Sequence, residues 1–98
     1  MTTREPAPDR LELLQGTLDV LILRTLDRER QHGQGIARAI QQMSEDSLLV
    51  DHGSLYPALK RLEKRKWIEG AWGVSANNRR ARFYALTPRG RKQLTVEV

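Results

Sequence analysis

Three features of the 98-residue sequence predict a mainly α-helical domain closed by one small β-hairpin. Apolar residues recur at helical spacing in three successive segments between Gly16 and Arg65. Two stretches of period-two alternation follow, at 67–74 and 82–86, separated by an Asn-containing turn. A Thr-Pro pair at 87–88 then restarts a helix.

The first helical segment is GTLDVLILRTLDRE, with Thr17 as its N-cap residue. Leu18, Val20, Leu21, Ile22, Leu23 and Leu26 crowd most of its surface, which marks a central helix. Leu11, Leu13 and Leu14 precede it as a short helical lead-in. The second segment, QHGQGIARAIQQMSED, places Ile36, Ala37, Ile40 and Met43 on one face and Arg38, Gln41 and Gln42 outside. His32 and Gly33 mark the turn before it. Ser47–Val50 suits a brief strand.

The third helix runs through GSLYPALKRLEKR. Its cap is either Asp51 or Ser54. With Ser54, Pro57 falls in the first turn, where a missing N–H costs little. With Asp51, Pro57 deletes the bond to the Gly53 carbonyl and Gly53 relieves the crowding. Successive residues 100° apart put Leu55, Ala58, Leu59 and Leu62 on one face. The opposite face centres on Pro57, Lys60 and Lys64, flanked by Tyr56 and Arg61. In WIEGAWGV, residues 67–74, Ile68, Gly70, Trp72 and Val74 alternate, and in RFYAL, residues 82–86, Arg82, Tyr84 and Leu86 share a side. Asn77-Asn78 suits the turn because both residues tolerate left-handed backbone. Thr87 caps a last helix with Pro88 at its first position, and Leu94, Val96 and Val98 supply its apolar stripe.

The length suits one domain. The polar MTTREPAPD stretch reads as a flexible arm over residues 1–10, followed by the core over 11–86 and a C-terminal helix over 87–98. The charge, +5 overall, is unevenly placed. Residues 1–50 carry six Lys/Arg against eight acids, a net −2, whereas residues 51–98 carry eleven against four, a net +7. Such asymmetry points to a polyanion contacted by the second half. The absence of cysteine excludes disulfides and Cys-based metal sites and fits a reducing cytoplasm. The longest aliphatic run, VLIL, is far too short to span a membrane, and the N-terminus does not read as a signal peptide. His32 and His52 close no common metal site, so no metal or cofactor is expected. The acids are scattered and no Gly-rich phosphate loop follows a strand, so the residues do not describe an enzyme.

Helix, helix, short strand, helix, hairpin, helix is the order of a winged helix-turn-helix: a three-helix core, a wing and a short C-terminal helix. The basic face of the third helix and the cationic hairpin tip match a major groove and its bordering phosphates. Ser54, Tyr56, Pro57 and Lys60 lie toward the helix N-terminus, the end that meets base edges in such docking. Arg61 and Lys64 are placed as backbone clamps, and Asn77, Asn78, Arg79 and Arg80 as the tip. The alternative partner for the same basic face is an acidic protein. RNA fits poorly, because an A-form groove is deep and narrow. The Lys64-Arg65-Lys66 run also has a simpler use: cations at a helix C-terminus interact favourably with the helix dipole. Trp67 and Trp72 read as core and rim packing.

HGQGI, DHGSLYPALKRLE, WIEG and RRARFYALTPRGR together resemble the PadR-like transcriptional regulators over roughly residues 11–94. The resemblance implies a cytoplasmic, nucleoid-associated repressor that binds a near-palindromic double-stranded operator as a homodimer. It implies DNA contacts from Ser54, Tyr56 and Lys60 on the third helix and from Asn78, Arg79, Arg80 and Arg82 on the wing, with Tyr84 and Leu86 in the core. It also leaves room for a small-molecule inducer in an aromatic cage that includes Trp67 or Trp72. The chain departs from the family at Gln34, where many relatives carry an aromatic residue. Relatives also continue into longer C-terminal helices, so the expected dimer contacts here fall on the terminal segments, including Leu11, Leu13 and Leu14.

Overall fold

The computed structural model describes residues 10–45 and 50–97, with side chains over 16–45 and 50–95. The arm before Arg10, most of the strand expected over 47–50, and the packing of Leu11, Leu13, Leu14, Val96 and Val98 lie outside the described residues.

Helix α1 (Arg10–Arg28) is the centre of the molecule. Leu18, Ile22, Leu23 and Leu26 are buried on it, and Val20 and Leu21 pack against the same core. Thr17 is not its cap, because the helix starts seven residues earlier and runs through Gly16. A capping residue only marks a start when the turns around it do not propagate, and one glycine costs a helix only about 1 kcal/mol.

Gln31–His32 forms a two-residue strand, β1, which sequence periodicity could not reveal because two residues show no period. His32 then caps α2 (Gly33–Met43), its Nδ1 accepting from the Gly35 N–H at 2.9 Å. Ile36 and Ile40 are buried, whereas Met43, expected on that face, is exposed one turn beyond the core.

Asp51, not Ser54, caps α3 (His52–Lys64): its Oδ1 accepts from the Ser54 N–H at 2.8 Å. Leu55, Ala58, Leu59 and Leu62 are all buried, as their spacing predicts. The helix ends in a Schellman motif. The Lys66 N–H donates to the Glu63 carbonyl at 2.9 Å and the Trp67 N–H to the Leu62 carbonyl at 3.1 Å. The geometry puts Lys66 at φ 63°, in the left-handed region, without the glycine that usually serves there. Lys66→Gly is therefore expected to raise unfolding free energy by about 1 kcal/mol in urea melts.

Strands β2 (Ile68–Val74) and β3 (Arg80–Leu86) form the hairpin, and β1 joins the free edge of β3, giving the antiparallel order β1-β3-β2. The sheet is thus three-stranded, not a lone hairpin. Arg80 pairs with Val74, so the ladder is two residues longer than the alternation suggests and the tip shrinks to 75–79. Asn78 takes φ 61° in that tip. Tyr84 is buried in the core and Leu86 packs against it. Burial pushes the Tyr84 phenol above its ordinary value of 10.0, with the charge of Arg82 pulling the other way. The fold favours the neutral phenol, so this contribution is complete below pH 10 and is lost as pH rises through the folded value. A melting-temperature series in alkaline buffer reads it as a fall above pH 10.

Helix α4 (Pro88–Glu97) returns onto α1, with Leu94 in the core. Thr87 caps it, Oγ1 accepting from the Gly90 N–H at 3.0 Å and donating to the Lys66 carbonyl at 2.7 Å. The start of α4 is thereby tied to the turn that ends α3.

Candidate nucleic-acid interface

Because four residues of α3 are sealed in the core, its other face must be open. Ser54, Tyr56, Pro57, Lys60 and Lys64 are exposed there. Neither Lys60 nor Lys64 is paired with a carboxylate among the described residues. Pro57 sits inside the helix, at the sixth helical residue, and removes one backbone donor.

Arg61 behaves differently from the clamp expected of it. Its guanidinium turns toward α1 and grips Asp19, with Nη2 donating to Oδ1 at 2.6 Å and Nε to Oδ2 at 3.4 Å. Both side chains are largely shielded. The pair fixes α3 to α1, so its first effect is on the angle at which the open face is presented. Arg82, expected on the wing's contact surface, donates to Glu63 of α3. The hydrogen bond and charge of Glu63 together raise the guanidinium pKa above its ordinary value, so Arg82 stays cationic. That bridge holds the wing against the helix.

Tyr56 is 45% exposed, yet its hydroxyl reaches the start of α2. A Cβ on Gly33 would lie 2.9 Å from that oxygen, so only glycine lets the ring settle there. Tyr56 then forms one wall of a groove of about 790 Å³. Asn77, Arg79, Arg80 and Arg82 of the wing line the same groove, together with Gln34 and Arg38 of α2. The wing therefore rises beside the open face of α3, and the two cationic surfaces adjoin through Tyr56. Asn78 is exposed at the tip.

Arg38 and Trp72, which also line this groove, are not among the sequence-derived DNA contacts; Trp72 entered that reading only as packing or as part of an inducer cage. The outward spacing of Gln34 and Arg38 on α2 was the available signal for the first. Trp72 shares the parity of core residue Ile68, which disguised its place beyond the core. Trp72 is 60% exposed, and the Arg80 guanidinium lies 5.0 Å from its ring centroid. Trp67, by contrast, packs against the core, with Arg65 over its ring.

A three-helix core whose third helix bares a basic face beside a β wing defines a winged helix-turn-helix domain. The Transcriptional regulator PadR-like family matches residues 22–96. A transcriptional regulator from Clostridium thermocellum superposes with a TM-score of 0.78 at 27% identity, over 88% of this chain and 83% of that one. A PadR family transcription regulator from Clostridium difficile R20291 gives 0.71 at 31% identity, over 84% and 83%. A PadR-like regulator from Bacillus cereus gives 0.73 at 30%, over 86% and 80%. The chain belongs to the PadR-like family and is a DNA-binding transcription regulator of the winged-helix class. Among the described residues, no helix is long and apolar enough to cross a membrane.

Proposed function

We propose that the chain is a sequence-specific repressor that binds double-stranded DNA as a homodimer on a near-palindromic operator. Helix α3 enters the major groove, with Ser54, Tyr56, Pro57 and Lys60 toward base edges and Lys64 at the phosphates. The wing follows the backbone or minor groove with Asn77, Asn78, Arg79 and Arg80. Arg61 and Arg82 act at one remove, holding α3 to α1 and the wing to α3. The observation that carries this reading is the division of α3 between a fully buried aliphatic side and an open side whose lysines have no carboxylate partner among the described residues. A surface lysine without a counter-charge is available to phosphate oxygens and guanine acceptors.

Selection of bound duplexes from a random pool tests it. Enrichment of one inverted repeat, with half-sites about one helical turn apart, is the expected result. A pool that stays random after repeated rounds, with binding only at low salt, contradicts it and favours an acidic protein as partner. Light scattering of the full chain reads the stoichiometry; a mass near 11.3 kDa for the DNA-bound protein component would contradict the homodimer. A small-molecule inducer is the remaining element of the reading, and release of the selected duplex by a ligand is its measurement.

A further inference from the structure

The sheet register places Trp72 opposite Arg82, Gly70 opposite Tyr84 and Val74 opposite Arg80, so all six side-chain positions share one face. Tyr84 turns that face toward the helices. Near the base of the wing the core covers it; at Trp72 the core has run out and the indole stands in the groove. Arg80 lies over the indole ring, and α2 supplies Arg38 to the groove's lining. None of the described lining residues is Asp or Glu. Arg38, Arg79 and Arg80 have no carboxylate partner among the described residues, whereas Arg82 is engaged by Glu63.

An exposed indole beneath a guanidinium, in a groove with cations and without acids, suits a partner that alternates charge with apolar surface. The sugar–phosphate backbone does so: each phosphate is followed by the carbon face of a deoxyribose. The groove is also continuous with the open face of α3 through Tyr56. We propose that this groove holds the backbone of one strand of the duplex read by α3, with Arg38 and Arg80 on phosphates and the Trp72 indole against the deoxyribose between them. The proposal rests on the DNA reading above and adds Arg38 and Trp72 to it. Stacking on Trp72 holds the Arg80 guanidinium in place before DNA arrives, which lowers the ordering cost of the contact.

Anisotropy titrations of the full chain with the selected duplex, at several salt concentrations, separate the two kinds of contact. Arg38→Gln is expected to weaken all duplexes alike and to reduce the log–log salt slope by about one. Trp72→Ala is expected to weaken binding about tenfold while leaving the slope in place, because it removes apolar area and no charge. Trp72→Phe recovers most of that loss. Both side chains are exposed, so melting temperatures should stay near wild type. In a Trp67→Phe background, Trp72 is the single indole, and its emission should change on saturation with duplex. Wild-type affinity and slope for Arg38→Gln and Trp72→Ala, with unchanged Trp72 emission, overturn the groove assignment while Lys60→Ala still weakens binding. If Lys60→Ala also binds as wild type, the placement of α3 fails and this proposal falls with it. Should Trp72→Ala melt well below wild type, the emission change and Arg38→Gln decide.

Discussion

Gly90→Ala is expected to lower the melting temperature by roughly 10–20 °C, from a loss of about 2–3 kcal/mol. Gly90 is buried in the first turn of α4, where that turn lies against the Trp67 backbone just after α3. A Cβ built there collides with the Trp67 carbonyl oxygen and crowds the Leu86 side chain. The carbonyl cannot simply retreat, since it accepts the Thr87 N–H at 3.0 Å, next to the Thr87 hydroxyl bond to the Lys66 carbonyl. Either those bonds break or α4 lifts away and takes Leu94 from the core. The glycine is thus required by a close approach of backbone to backbone and not by its φ, which is not positive. Arg89→Ala, one residue away and exposed, is the control and should melt within a few degrees of wild type. A Gly90→Ala protein that melts like wild type would show that α4 does not approach the Trp67 carbonyl this closely.

Lys60→Ala is expected to weaken binding to the selected duplex by about 1–3 kcal/mol and to relax preference at one base-pair position. Its stem lies on the open side of α3, one turn after Tyr56, and removal should leave the fold untouched. Arg80→Ala should act differently. It weakens binding to every duplex alike and reduces the salt slope by about one, as loss of a phosphate contact does. The contrast matters more than either loss: one variant changes which sequence is chosen, and the other changes only how tightly any sequence is held. Equal effects of Lys60→Ala on all duplexes would move Lys60 from base edge to backbone. Arg61→Ala provides a third pattern. It breaks the clasp on Asp19, so its loss should appear first in stability, by about 1–2 kcal/mol, and only through that in DNA affinity.

Where one face of an element is buried, the sequence was readable. The spacing of Leu55, Ala58, Leu59 and Leu62 predicts both the buried side of α3 and, by subtraction, its open side. The Thr87 cap and the left-handed Asn78 were equally legible, since each follows from a local rule, whereas the core place of Tyr84 came from the family resemblance, alternation alone giving only the side it shares with Arg82 and Leu86. What was not legible depended on partners distant in the chain. Arg61 meets Asp19 across 42 residues and Arg82 meets Glu63 across 19, so no local pattern shows that these two cations are already engaged. The strand β1 is two residues long and exists only because β3 offers it an edge. The choice between Asp51 and Ser54 as the α3 cap turned on which backbone the chain adopts before the helix; both residue types serve. Trp72 obeys the parity of the core but lies past its end, a matter of core size that alternation does not encode.

The central claim is that one continuous surface, the open side of α3 and the adjoining wing, is where DNA lies. Amide chemical-shift mapping of the full chain during titration with the selected duplex addresses it residue by residue. The account predicts the largest shifts over Ser54–Lys64 and Ser75–Arg82, with α2 responding near Gln34 and Arg38. Shifts concentrated instead on the exposed side of α1 around Arg24 and Arg28, with α3 and the wing unmoved, would contradict it.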